Sequence, residues 1–294
     1  WVDLGLNKDI YLPRVKWTQD NNLLSFQWQS RDQKTLILKT YDWSNKQQQK
    51  LLTESSDTWI NLHDNLRFLA NKQQFVWTSE KEGFSHIYLH SLNGKPTLQL
   101  TQGQWVVKDI KNIDQKKQLI YFTATKESPL QTHLYSVDMQ GKNIKKITQG
   151  EGVHKIEFSK DSQSYISYFS SPQTPTQVSL NNNQGQHIAW LNENKINKNH
   201  PLADYVNDLV DAEFGSFKNA DDIELFYRLY KPTDFDASKK YPVMVYVYGG
   251  PHAQRVTQNW HNYFLQYMAH NGYLVFTLDN RGSNYRGKAF EEPI

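Results

Sequence analysis

One short stretch returns along the chain at a nearly constant interval. Leu100-Thr101-Gln102-Gly103 recurs as Ile147-Thr148-Gln149-Gly150, 47 positions on, and an earlier copy, Leu52-Thr53-Glu54, stands 48 positions before it. Ile87-Tyr88 and Leu134-Tyr135 are also 47 apart, while Val76, Tyr121 and Ile166 fall at intervals of 45. Around these landmarks lie runs rich in β-branched and aromatic residues: Leu24–Trp28, Leu36–Tyr41, Phe75–Thr78, Ile87–Leu89, Ile120–Thr123, Leu134–Val137 and Tyr165–Tyr168. Polar turn clusters such as Leu92-Asn93-Gly94-Lys95 separate them, as strands and hairpins require. Several strands per unit at a period in the mid-forties predict a β-propeller. An irregular β-sandwich has no reason to repeat several landmarks at one spacing.

About four blades fit into residues 1–192. Propellers close rings of roughly four to eight blades, and an open half ring would leave long unpaired strand edges. Further blades are therefore expected outside this stretch. The chain starts at Trp1 with no methionine or signal-peptide pattern, and Glu291-Glu292-Pro293-Ile294 carries no tail composition. Both ends are expected to continue into a longer protein.

The pattern changes near Asn192. A polar stretch, Asn192–Asn199, reads as a linker or short surface helix. Pro201–Asp211, apolar at Leu202, Tyr205, Val206 and Leu209, predicts an amphipathic helix entering a second domain over 193–294. Ile223–Tyr230 partly alternates and precedes Pro232, so an exposed or edge strand is expected. Pro242–Tyr248 is almost unbroken apolar sequence, the mark of a buried strand. Trp260–Asn271 is helix-like and closed by Gly272, and Tyr273–Asp279 is a second buried strand. Strand, helix and strand in that order begin an α/β sheet.

Composition narrows the function. The chain has 33 basic and 30 acidic residues, a net charge of +3, and 14% aromatic residues. No basic field argues for nucleic acid, and no apolar run approaches the ~18 residues of a membrane span. The absence of cysteine excludes disulfides, zinc–thiolate sites and cysteine nucleophiles. With no phosphate-binding glycine loop and no metal-ligand spacing, no cofactor or metal is expected.

The sharpest chemical signal is Val247-Tyr248-Gly249-Gly250-Pro251-His252. Two glycines at a strand end let the backbone turn tightly and approach a ligand. In α/β-hydrolases the loop after such a strand supplies an oxyanion donor, and a fixed donor there lowers the barrier to acyl transfer. The Tyr248 hydroxyl suits that role; the same ring also suits plain packing at a strand end.

Here the chain resembles the prolyl oligopeptidase family, in its dipeptidyl peptidase IV branch. The likeness rests on Trp77–Tyr88, on Tyr241-Pro242 through Tyr248–Gln254, and on Asp279–Gly287. It implies a propeller, here partial, followed by the N-terminal part of an α/β-hydrolase domain. The implied activity is a serine exopeptidase releasing dipeptides after proline or alanine from peptides with a free N-terminus. It also implies Tyr248 as the oxyanion-hole donor, structural roles for Arg281 and Gly282, a possible homodimer, and a periplasmic or secreted location. Departures matter equally. Nothing matches the family's Gly-Trp-Ser-Tyr-Gly-Gly nucleophile. The only Gly-x-Ser, Gly83-Phe84-Ser85, has Ile87 where the second glycine belongs, and Glu80, Glu82, Glu291 and Glu292 do not match the amine-binding glutamates. The 294 residues alone are expected to be inactive. A tripeptidyl or acylaminoacyl peptidase of the same clan is the first rival, and a non-catalytic binding propeller the second.

Other candidates carry less. His86 and His90 lie ~13 Å apart on a strand, too far for one metal, and read as packing or surface positions. His252, His261 and His270 show no ligand pattern, and Lys46–Lys50 reads as a polar hairpin tip. The tryptophans at 1, 17, 28, 43, 59, 77, 105 and 190 are expected mostly in the propeller core.

Overall fold

The computed structural model describes residues 1–5, 9–70, 73–93, 97–260 and 263–294. The Gly94-Lys95 end of the expected turn, and His261, lie outside them. The chain divides into two compact units: Trp1–Gly103 with Asp138–Lys142, and Gln104–Val137 with Asn143–Ile294.

In the first unit, strands β1 (Ile10–Tyr11), β2 (Val15–Trp17), β3 (Leu23–Ser30), β4 (Thr35–Asp42) and β5 (Gln47–Ser55) form one antiparallel sheet. The next, β6 (Arg67–Leu69), β7 (Gln74–Ser79), β8 (His86–Ser91) and β9 (Leu98–Gln99), is a four-stranded meander. The second unit repeats that meander twice. Its strands are β10 (Val107–Asp114), β11 (Leu119–Ala124), β12 (His133–Asp138) and β13 (Lys145–Lys146), then β14 (Val153–Phe158), β15 (Ser164–Ser171), β16 (Thr174–Asn182) and β17 (His187–Asn192). Four blade-like sheets thus stand where about four blades were expected, and every strand read from sequence falls inside one of them. Val76, Tyr121 and Ile166 all sit on second strands.

Burial explains the aromatic and β-branched wealth of these strands. Phe75, Val76 and Trp77 are buried on both strand faces, and Leu36, Leu38, Ile60 and Leu66 join Phe75 and Trp77 in one core. In the second unit Tyr121, Leu134, Ile147, Ile156 and Tyr165 make the equivalent core between adjacent sheets. The tryptophan expectation needs correction. Trp77 and Trp105 are buried, but Trp1, Trp17, Trp43 and Trp190 are exposed, because they lie outside the strands, in turns, or on strands that stand last in their sheets among the described residues. Nor are Gln47–Lys50 a hairpin tip: they pair with Lys39–Asp42 within β5, an edge strand whose outer side tolerates polar residues.

The 47-residue landmarks have a structural cause. The Ile87 amide donates to Thr101 Oγ1 (2.9 Å), which also contacts His86 Nδ1 (3.1 Å). One repeat later the Leu134 amide donates to Thr148 Oγ1 (3.0 Å), which contacts His133 Nδ1 (3.3 Å). One threonine therefore satisfies a buried ring nitrogen and a strand amide together, a bond pattern that buried polar groups demand. His86 is a packing residue, as expected, and His90 stacks on Phe75 with ring centroids 4.9 Å apart.

After Asn192 comes an irregular segment. Ala203–Asp208 is a 3₁₀ turn with no buried residue, not the amphipathic helix expected from Leu202, Tyr205, Val206 and Leu209. Too few turns form to present those side chains as one stripe. A mixed sheet follows, built from β18 (Ala212–Lys218), β19 (Glu224–Tyr230), β20 (Val243–Tyr246) and β21 (Leu274–Leu278), in the order β18-β19-β21-β20. Helix α1 (Tyr263–His270) connects β20 to its parallel neighbour β21, and α2 (Lys288–Glu291) is a single turn near the end. Gly272, at φ +85°, closes α1 with a Schellman pair: its amide reaches Ala269 O, and that of Tyr273 reaches Met268 O. Tyr230, Leu265, Ala269 and Val275 are the core here.

Two strand expectations are overturned. The Ile223–Tyr230 strand is interior, because β18 pairs along its whole length. Conversely β20 stands last in the sheet order among the described residues, and Val243 and Val245 are more than half exposed there, where the sequence reads as a buried strand. The Tyr273–Asp279 strand is central but buried on one face only, at Val275 and Thr277.

Candidate functional site

Beyond β20 the chain runs Val247, Tyr248, Gly249, Gly250, Pro251. Gly249 takes φ +78°, a conformation open to glycine at little cost. At Gly250 a Cβ would lie 3.0 Å from Tyr248 Cε1, so the missing side chain lets the tyrosine ring lie along the following backbone. Tyr248 itself is 55% exposed.

The segment after this turn is anchored from several sides. Gln254 Nε2 donates to Pro129 O (2.8 Å), and the Gln258 amide donates to Leu130 O (2.8 Å). Gln131 Nε2 donates to Gln258 Oε1 (2.6 Å), and the Trp260 amide reaches Ser170 Oγ (3.4 Å). Between these, the Arg255 and Val256 amides donate to the two carboxylate oxygens of Asp279, at 2.7 and 2.9 Å. The Arg255 guanidinium lies over the rings of Tyr248 and Tyr246, with centroid distances of 5.5 and 5.8 Å, within cation–π range. A strip over 254–258 is thus pinned through its backbone and its two glutamines, and its Arg255 side chain reaches the Tyr248 ring.

Asp279 directly follows β21 and is buried. Burial raises its carboxyl above the usual range; the two amide bonds and the charges of Arg228 and Arg255 pull the other way. Arg228, on β19, is 1% exposed, and burial lowers its basicity. It contacts Thr277 Oγ1 at 3.4 Å and lies over Tyr230 at 5.5 Å. Nearby, His252 Nδ1 is 2.9 Å from Glu291 Oε1, with the glutamate side chain almost fully buried.

The Asn280–Gly287 loop is held structurally. Arg281 donates to Ala289 O (3.1 Å) and pairs with Asp221 (3.4 Å), and the Gly282 amide reaches Phe290 O at φ +98°. Arg286 is sandwiched between Phe226 and Phe290, at 4.6 and 4.3 Å. Lys108 lies 4.0 Å from the Tyr285 ring centroid and 3.2 Å from Thr132 Oγ1, and burial lowers its ammonium pKa to about 8.

The other candidates belong to the first unit. Gly83-Phe84-Ser85 lies in the turn between β7 and β8, where Gly83 closes onto Glu80 O at φ +88°. Glu80 takes a bond from Asn61 Nδ2 (3.1 Å), and Glu82 is an exposed turn residue. Sequence reading missed Asp279 as the anchor of the strip, and missed Gln131, Gln254, Gln258 and Arg255. One signal was available: two positions before the repeated histidine, Phe84 in one unit is replaced by Gln131 in the next.

Comparison with known proteins follows the same lines. The family model of the dipeptidyl peptidase IV N-terminal region matches residues 1–176. Dipeptidyl peptidase 4 of Trichophyton rubrum is 30% identical over 252 residues, covering 82% of this chain and 32% of that protein. Dipeptidyl peptidase 8 of Mus musculus is 31% identical over 279 residues, covering 81% and 31%. Among solved structures, Porphyromonas gingivalis dipeptidyl peptidase 4 superposes with a TM-score of 0.90 at 28% identity, over 99% of this chain and 41% of that one. A Bacteroides ovatus structure described as a putative dipeptidyl aminopeptidase IV gives 0.87 at 30% identity, over 99% and 44%. The chain spans about a third of the length of the first two relatives, and its four blade-like sheets, their repeat and these matches together make it a member of the dipeptidyl peptidase IV N-terminal region family.

Proposed function

We propose that this chain is part of a serine exopeptidase that removes N-terminal dipeptides, with Pro or Ala preferred at the second position, and that Tyr248 donates to the oxyanion. Residues 1–192 are then propeller, and 193–294 a linker with the first strands and helix of an α/β-hydrolase domain. The observation that carries the reading is the Tyr248-Gly249-Gly250-Pro251 turn. It follows a strand parallel to its neighbour and joined to it by a helix, and its tyrosine is exposed with the Arg255 guanidinium 5.5 Å from its ring centroid.

The chemistry is acyl transfer. A serine oxygen adds to the scissile carbonyl, its proton passes to a base, and the carbonyl oxygen becomes an anion; collapse breaks the C–N bond, the leaving amine takes that proton, and water then hydrolyses the acyl-enzyme. A phenol fixed before the reaction stabilises that charge without reorganising. Tyr248, with a backbone N–H, fills this role. In this reading the nucleophile and its base lie outside the 294 residues, since the one Gly-x-Ser here sits in a hairpin turn. A possible homodimer and a periplasmic or secreted location belong to the same proposal and rest on the family resemblance. Cell fractionation with detection of this chain checks the location. Among the described residues no helix is long and apolar enough to cross a membrane.

The test uses the peptidase that carries these residues and a chromogenic Gly-Pro substrate. Tyr248→Phe should lower kcat by ~10²-fold or more, with the fold intact by circular dichroism. An unchanged kcat removes Tyr248 from the mechanism. The isolated 294 residues should show no turnover.

A further inference from the structure

The two His–Thr repeats are alike except at one atom. In the first, His86 Nε2 is 2.8 Å from the Gly103 carbonyl, a backbone acceptor within the same blade. In the second, His133 Nε2 is 2.8 Å from the Oε1 of Gln131, the residue that replaces Phe84 of the preceding unit. With that oxygen taken, the Gln131 amide nitrogen faces away from the blade and donates to Gln258 Oε1 at 2.6 Å. Gln131 and His133 are both buried, so each polar atom needs its partner and the amide orientation is set. A bond that elsewhere closes the blade on itself has here been turned outward.

It lands on the strip that carries Arg255. Gln258 is tied to the β11–β12 loop by its own amide and by its side chain, and Gln254 is tied to Pro129 O. Arg255, between them, donates its amide to Asp279 and lays its guanidinium over Tyr248. Tyr248 lies beyond the end of β20 and is more than half exposed, so neither the strand ladder nor a packed core holds its ring.

We propose that Gln258, locked by Gln131, is a positioning residue for Tyr248: it fixes the 254–258 strip so that Arg255 holds the tyrosine ring in place. The inference rests on the oxyanion reading of Tyr248. Gln258 touches no reacting atom in it.

The experiment is a double-mutant cycle in the intact peptidase, read as kcat and KM on Gly-Pro-p-nitroanilide. Gln258→Leu removes the acceptor, and Gln258→Asn shortens the arm; both should lower kcat about tenfold with KM nearly unchanged, as a small misplacement of a catalytic group does. Gln258→Glu still accepts from Gln131 and should retain near-normal kcat. In a Tyr248→Phe background Gln258→Leu and Gln258→Asn should each change kcat less than twofold, since the group they position is gone. If they cost the same in both backgrounds, or nothing in either, the positioning role is overturned. If Leu does not fold, the Asn and Glu variants carry the same comparison. If Tyr248→Phe alone leaves kcat unchanged, the functional reading fails, a result separate from the positioning outcome.

Discussion

Lowering the pH from 7 to 5 should weaken the fold through a pair of buried histidines, His133 and His154. Their rings lie 5.5 Å apart, at 0% and 6% exposure, and His154 stacks on Phe169 at 4.6 Å. Burial holds His133 at about 4 and His154 at about 3, against 6.5 for a free imidazole; Lys146 pushes both the same way, the His133 ring adds to it at His154, and Glu127 opposes it at His133. Both folded values lie below the unfolded one, so the stabilisation is complete above pH 6.5 and is lost as pH falls toward 4. Between pH 7 and 5 the folded rings stay neutral while the unfolded ones gain their protons. The loss depends only on the unfolded titration and amounts to about 2 kcal/mol per histidine, about 4 kcal/mol for both. Mutual coupling does not enter, because neither folded ring titrates in this window. The assay is urea unfolding at pH 7, 6 and 5, for the native protein and for His133→Gln, His154→Gln and the double variant. Each substitution costs stability at pH 7; the quantity of interest is the slope. The double variant should lose about 4 kcal/mol less than the native protein over the two pH units. Equal slopes would refute the reasoning, showing either that these rings are solvated or that they are already charged in the fold.

Further outcomes can be stated briefly. Gly152→Ala should destabilise by about 2–4 kcal/mol, on the scale of backbone strain with core overpacking: Gly152 has φ +148° and its new Cβ would lie 2.3 Å from Ser170 O, so thermal unfolding should move sharply downward. Asp279→Asn leaves one of the two strip amides without its acceptor; a loss of about 1–3 kcal/mol is expected, as when a buried donor loses its partner. Arg286→Met should cost about 1–2 kcal/mol, since the stem still packs between Phe226 and Phe290 but the cation–π contacts go. Both are read by chemical denaturation.

The repeat was legible because its landmarks are forced. A buried histidine and a strand amide share one threonine, so residue type and spacing are fixed together at His86–Thr101 and His133–Thr148. Strand sequence is weaker evidence of position within a sheet. Val243–Tyr246 looks buried, yet its outer side has no neighbour among the described residues; Glu224–Tyr230 looks exposed, yet β18 covers its edge. Sheet order depends on pairings far apart in sequence, which local pattern does not encode. The turn at Tyr248 was visible through its glycines, but its support was not. Gln131, Gln258 and Asp279 lie 21 to 148 residues apart, and only the exchange of Phe84 for Gln131 between units hints that one of them differs in purpose.

The small drift in the repeat has a consequence for length. Second-strand landmarks recur every 45 residues, but the histidines and threonines recur every 47. The gap from histidine to threonine is 15 residues in both units, so the two additional residues must sit between the second and third strands. They do: residues 80–85 join β7 to β8, whereas residues 125–132 join β11 to β12. That longer loop is the one that presents Pro129, Leu130 and Gln131 to the strip. Between these two blades the His–Thr interval keeps its length, and the crossing from second to third strand is where the later blade has grown an arm without disturbing its own ladder.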